Sequence, residues 1–185
     1  MRIIAGKYRG RRLVSLRGQR LRPTSDRVRE AIFSILGNDL SDTRVLDLFA
    51  GTGAMGLEAL SRGATLVVLV EHHPAALRLI ARNLATLGAA ERVTVKKFDL
   101  GRGLRGLARQ GREFDLVFLD PPYHLGLGEI CLQDLGGGAL LAPRAVVVIE
   151  QAVDEHLAPA YGCLQLQDMR RYGSTAVGFY RREQR

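Results

Sequence analysis

The chain has 185 residues, 46% of them hydrophobic, 25% charged and none Trp, a balance that excludes disordered and fibrous classes and supplies one full core without a disulfide or metal staple. Its two cysteines (Cys131, Cys163) and four histidines (His72, His73, His124, His156) form neither CxxC nor HExxH, which excludes zinc sites and disulfide frameworks, so no metal is expected. The net charge of +8 is unevenly placed: residues 1–30 hold ten Lys/Arg against two acids, and the remainder balances at 17 against 17.

In chain order, residues 2–5 and 11–16 read as two short strands about a turn at 6–10, a basic hairpin bearing Arg2, Lys7, Arg9, Arg11 and Arg12. Nine of the ten early cations are Arg, whose planar fork suits bidentate phosphate contacts, so a polyanion is the partner expected at this end. The competing reading is a solvated basic surface, since Arg makes up 24 of the 27 cations. Residues 1–10 lack the apolar core of a secretory signal, and apolar runs such as 65–70 and 145–149 fall far short of the ~18 residues of a spanning helix. A reducing, cytoplasmic setting without membrane contact is expected.

Ser25 caps a helix whose apolar face is read as Val28, Ala31, Ile32, Ile35 and Leu36, which puts Arg27 and Arg29 on the wet side. From Arg44 the rhythm is strand, turn, helix: strands at 45–49, 66–70, 93–98, 114–119 and 145–149, with helices at 55–61, 75–87, 104–108 and 128–135. Leu77, Ile80, Ala81, Leu84 and Leu87 give the second long helix its face. Two last strands, 163–169 and 176–180, flank Gly173. The prediction is an α/β fold: a doubly wound, mostly parallel Rossmann-like sheet with an antiparallel C-terminal edge hairpin and a small basic N-terminal hairpin. Residues 1–39 form the basic segment and 40–185 the main domain. No apolar stripe lies outside the core pattern, so a monomer is expected.

Ligands of such sheets bind at the carboxyl ends of the strands. There the first strand runs into Asp47 and Phe49, and Gly51, Gly53 and Gly56 spell GxGxxG. Glycines so spaced admit a dinucleotide or S-adenosylmethionine, and Glu71 at the end of the second strand can accept from ribose hydroxyls in either case. Asp47 separates the two ligands, because a carboxylate opposes a pyrophosphate but can hold an ammonium group. Its competing role is to bind loop amides. Asp99 can accept from an adenine amine or cap a helix.

The fourth strand ends in Asp120-Pro121-Pro122-Tyr123. An exocyclic base amine is a poor nucleophile because its lone pair is delocalised; acceptors that hold its N–H groups favour the reactive pyramidal form. The Asp120 carboxylate and the Pro121 carbonyl, fixed by two rigid prolines, are such acceptors, and Tyr123 can stack on an unstacked base. The competing reading is a strand terminated by two prolines. Direct displacement at a sulfonium methyl needs no Ser-His-Asp or Cys-His set, only positioning.

DLFAGTGAMGLEALSRGA (47–64), Glu71 and FLDPPY (118–123) resemble class I S-adenosylmethionine-dependent amino-methyltransferases. MRIIAGKYRGRRL (1–13), RPTSDRVREAIFSIL (22–36) and VVIE (147–150) narrow the resemblance to the bacterial 16S ribosomal RNA guanine-N2-methyltransferase family, along essentially the whole chain. The resemblance implies transfer of a methyl group from S-adenosylmethionine to the exocyclic N2 of one guanine in 16S rRNA, in assembled or assembling small subunits. It further implies that Asp47, Phe49, Gly51, Gly53, Glu71, Asp99 and Thr24 contact the cofactor. Asp120 to Tyr123 would hold the guanine, Arg22 to Thr24 would help close the site, and Arg22 would join the hairpin cations on RNA. Two departures stand out: FAGTG where the family commonly has FAGSG, and HLGLGE after Tyr123 without the basic residues some relatives carry. Residue chemistry alone leaves open methylation of DNA adenine or protein glutamine, an NAD(P)-dependent oxidoreductase, and a non-catalytic RNA-binding protein.

Overall fold

An apolar strand followed by a turn and a one-faced helix brings the chain back parallel to itself, and this rule builds most of the molecule. The structure, a computed structural model, describes residues 1–15, 26–108 and 111–183. Internal contacts divide it into two units, Met1–Phe98 and Asp99–Arg185.

In the first unit, α1 (Asp26–Leu36) precedes β1 (Arg44–Leu48), α2 (Ala54–Ser61), β2 (Leu66–Glu71), α3 (Pro74–Leu87) and β3 (Val93–Lys97). β1 and β3 flank β2, both parallel to it, with Asp47 opposite Leu69 and Glu71 opposite Lys97. All eight residues of α2 are buried. At Gly56 this packing tolerates no side chain, because a Cβ would stand 2.4 Å from Leu69 Cδ2 and 3.2 Å from Asp47 Oδ2.

The second unit holds α4 (Arg105–Ala108), β4 (Phe114–Leu119), α5 (Leu127–Gly136), β5 (Leu141–Ala152), β6 (Ala160–Tyr161), β7 (Leu164–Tyr172) and β8 (Thr175–Arg182). β4 and β5 are parallel, and β8, β7 and β6 follow β5 in antiparallel order. The predicted C-terminal hairpin is therefore present, with β8 on its inner side. β5 runs 12 residues, well beyond the predicted apolar core at 145–149, because its near end starts at Leu141 opposite Phe114 of β4 and its far end pairs with β8 as far as Ala152–Thr175.

Three local expectations are corrected. The N-terminal hairpin closes through a single bridge, Arg2 to Arg12, in place of two strands. Its next backbone donors turn instead to α2: Ile4 and Ala5 N–H donate to the two Glu58 carboxylate oxygens (2.7 and 3.0 Å), and Lys7 N–H donates to the Ser61 carbonyl (2.7 Å). Gly6 lies so close to this helix end that a Cβ would fall 1.8 Å from the Ser61 carbonyl oxygen.

The buried face of α1 is Val28, Arg29, Ile32 and Phe33, while Ile35 is 44% exposed. Arg29 is thus inside, contrary to its assignment to the wet side. Its guanidinium meets Asp26 (3.0 Å) and the Arg2 carbonyl and lies 3.8 Å from Glu58. Phe33 is drawn in beneath the Arg62 guanidinium, 4.6 Å from its ring centre. In α3, likewise, buried Asn83 takes the place expected of Ala81, which is exposed.

Candidate active site

The loop after β1 is shaped by backbone donors converging on two acids. Phe49, Gly51 and Gly53 take positive φ values of 59, 57 and 79°. Glu71 accepts from Gly51 N–H (2.9 Å) with one oxygen and from His72 and His73 N–H (2.7 and 2.8 Å) with the other. A carboxylate has about four lone-pair sites, so a ribose hydroxyl can share Glu71 with these donors. Asp47 is 2% exposed and accepts from Gly56 N–H at 2.9 Å, so the loop-amide role weighed from the sequence is present. Burial pushes its carboxyl up to about 7, the Gly56 N–H opposing and the Glu71 charge reinforcing the shift. An acid so destabilised as an anion gains from a neighbouring cation, and residues 47–56 contain no Lys or Arg to meet a pyrophosphate. This donor set suits a ligand carrying an ammonium and a sulfonium better than a diphosphate.

Sequence reasoning missed Asn83. This fully buried side chain accepts from Val14 N–H (2.7 Å) and donates to the carbonyls of Val14 (3.1 Å) and Thr52 (2.9 Å). It ties the N-terminal segment to the glycine loop. Glu58 is the second missed residue: besides Ile4 and Ala5 it accepts from Arg62 Nε at 2.9 Å. Both sit on helices where a polar residue reads as solvent-facing, and each has a partner more than 50 residues away in the N-terminal segment, Val14 at a separation of 69 and Ala5 of 53. Asp99 is exposed and accepts from Gly101 N–H (3.0 Å), the cap alternative named for it.

In the second unit, β4 delivers Asp120 half-buried, Pro121 buried, Pro122 exposed and Tyr123 half-buried. The Tyr123 hydroxyl donates to Glu150 Oε1 (2.9 Å) and lies 3.2 Å from Thr175 Oγ1. Burial pushes its phenol well above the ordinary value; Thr175 opposes the shift, and Glu150 and Asp120 add to it. The two contacts pin the Tyr123 hydroxyl at the end of its ring. His124 follows with φ 61° and its N–H on Glu155 Oε1 (2.9 Å), while Glu155 Oε2 accepts from Ala152 N–H (2.9 Å). Glu150, Thr175 and Glu155 were not foreseen as members of this cluster. The one available signal was an acid closing an apolar strand, the same pattern that marks Glu71.

Arg2, Lys7, Arg9, Arg11 and Arg12 are all exposed, while Ile3, Tyr8 and Leu13 beneath them are buried. Arg22 and Thr24 lie outside the described residues. Among the described residues no group of three or more His, Cys, Asp or Glu could hold a metal, and no helix is long and apolar enough to cross a membrane.

The family described as conserved hypothetical protein 95 matches residues 1–181. The chain is 38% identical over 183 residues to ribosomal RNA small subunit methyltransferase D of Escherichia coli (strain K12), covering 99% of this chain and 90% of that one. It is 38% identical over 161 residues to the protein of the same name from Haemophilus influenzae (strain Rd), covering 85% and 81%. The solved structure of yhhF from Escherichia coli superposes with a TM-score of 0.85 at 38% identity, covering 99% of this chain and 98% of that one. The matches span essentially the whole chain: it belongs to the conserved hypothetical protein 95 family, beside the ribosomal RNA small subunit methyltransferase D proteins, and has the Rossmann-like methyltransferase fold.

Proposed function

We infer that this chain transfers a methyl group from S-adenosylmethionine to the exocyclic N2 of a guanine in 16S rRNA of the small ribosomal subunit. The observation that carries the reading is 38% identity over 99% of the chain to a small subunit rRNA methyltransferase, in a sequence that keeps Asp120-Pro121-Pro122-Tyr123 intact.

S-adenosylmethionine supplies a methyl group activated on a sulfonium, with a good leaving group already attached. Asp47 holds the ammonium of the methionine part, Glu71 the ribose hydroxyls, and Phe49, Gly51 and Gly53 form the wall of the loop. Asp99 accepts from the adenine amine on an oxygen not engaged by Gly101. On the base side, Asp120 and the Pro121 carbonyl accept the two N–H bonds of the guanine amine and direct its lone pair outward, and Tyr123 offers the ring on which the flipped guanine stacks. The proton lost from nitrogen after transfer is the one held by Asp120. Residues 1–39 serve as the RNA-facing segment, with Arg2, Lys7, Arg9, Arg11 and Arg12 on phosphates and Arg22 and Thr24 completing the closure. The substrate is the assembled or assembling particle in the cytoplasm, met by a monomer.

Asp120→Ala tests the chemistry. Labelled S-adenosylmethionine binds the variant as it binds the parent, NADH binds neither, and methyl transfer to unmethylated small subunits falls by at least about a hundredfold. Unimpaired turnover would remove the proposed site. Reversing Arg9 and Arg11 to Glu flattens the salt dependence of RNA binding; an unchanged slope would clear the hairpin of any phosphate contact.

A further inference from the structure

The Glu150 end of β5 is more than a brace for Tyr123. In antiparallel pairing, residues directly opposite one another project from the same face, and the register of β5, β8 and β7 therefore sorts their side chains. Glu150 opposes Val177 and Ala152 opposes Thr175; on the other side of β8, Tyr172 opposes Thr175 and Arg170 opposes Val177. Tyr172 and Arg170 thus share the face of Glu150 and Thr175, the two residues that hold the Tyr123 hydroxyl. Strands lie about 4.8 Å apart, so this ledge carries the surface roughly 10 Å sideways from β5, more than one nucleotide step.

Its chemistry is that of a nucleotide site. Tyr172 is half-exposed at the strand end, beside the open turn at Gly173, where a Cβ would meet nothing within 4 Å. The Arg170 side chain is 57% exposed, and its Nε donates to Asp168 Oδ2 at 2.7 Å, a contact that orients the guanidinium along this face. The two acids on this face are engaged: Glu150, 7% exposed, accepts from Tyr123, and Asp168 receives Arg170 and the Met169 N–H. An aromatic ring and an oriented guanidinium in sequence form the pattern that binds single-stranded RNA by stacking and phosphate contact.

We propose that the Thr175–Tyr172–Arg170 ledge binds the nucleotide adjoining the target guanine, Tyr172 stacking on its base and Arg170 on its phosphate. The inference rests on the reading of Tyr123 as the target-base plane. It also supplies an RNA contact in a chain whose segment after Tyr123 lacks the expected basic residues.

The test measures methyl transfer to unmethylated small subunits. Tyr172→Ala raises KM for the particle about tenfold with kcat and cofactor affinity unchanged, and Tyr172→Phe, which keeps the ring, stays near the parent. Arg170→Ala lowers the slope of log affinity against log salt by about one charge's worth, and Arg170→Lys restores it. Unchanged KM and salt slope in both alanine variants would overturn the ledge. So would a fall in kcat and cofactor affinity together, which would mark a folding defect. If the parent protein methylates the particle and Asp120→Ala does not, the functional reading stands whichever way the ledge is decided.

Discussion

The glycine loop and the Asp-Pro-Pro-Tyr turn both present a carboxylate at the carboxyl end of a parallel strand, yet they are held by opposite means. Around the loop, Asp47 and Glu71 are wrapped by backbone N–H groups from Gly51, Gly56, His72 and His73, so the acids shape the chain as well as awaiting a ligand. Around the turn, side chains grip a side chain: the Tyr123 hydroxyl is fixed by Glu150 and Thr175, and the two prolines bring no N–H that needs an acceptor. The contrast teaches that the first site is formed by main-chain geometry, which a single side-chain change distorts broadly. The second is assembled from separable contacts, which single changes weaken one at a time.

Breaking the first region has the larger expected effect. Glu58→Ala removes the acceptor for Ile4, Ala5 and Arg62 and leaves buried Arg29 only the part-exposed Asp26 as a counter-ion, so urea denaturation should show a loss of about 3–5 kcal/mol. A loss below 1 kcal/mol would mean that the N-terminal segment is held by its apolar residues alone. Asn83→Ala comes next. It strands the Val14 N–H and the Thr52 carbonyl and should cost about 2 kcal/mol, with cofactor affinity falling alongside stability. The same variant with intact cofactor affinity would separate the loop from the N-terminal segment.

Because the Asp47 carboxyl is raised from 3.8 to about 7, the folded protein binds its proton more tightly than the unfolded chain does. This group's contribution to stability is full at acid pH and declines as pH rises to about 7. Cofactor binding runs the other way below neutrality, since an ammonium needs the carboxylate: affinity should rise about tenfold per pH unit up to about 7 and fall again as the ammonium itself loses its proton near pH ~8. Asp47→Asn should give a flat profile below neutrality, and a parent profile that is already flat there would take the ammonium away from Asp47. The smallest effect belongs to the turn. Tyr123→Phe deletes one hydroxyl and should raise KM for the particle severalfold, about 1 kcal/mol, with cofactor affinity untouched.

Much of this was legible in the chain. Strands β1, β2 and β4 fall within a residue or so of their apolar runs, because strands buried on both faces have sharply marked ends; β3, exposed along one face, was legible from its alternating valines. What periodicity missed was each buried polar residue with a distant partner. Arg29 reads as solvent-facing until Glu58 and the Arg2 carbonyl come to meet it, and Asn83 until Val14 does. The pairing of β6, only two residues long, leaves no alternation to read. At the site, Asp47, Glu71 and Asp120 were identifiable as acids closing apolar strands. Glu150 carried the same mark, but its purpose became visible only when β8 brought Thr175 to the same hydroxyl.

The most direct measurement is nucleoside analysis of 16S rRNA after incubating this protein with unmethylated small subunits and S-adenosylmethionine. N2-methylguanosine is expected with the parent and none with Asp120→Ala, although that variant still binds the cofactor. Methyl groups on another atom, on adenine or on protein, or N2-methylguanosine formed undiminished by Asp120→Ala, would contradict it.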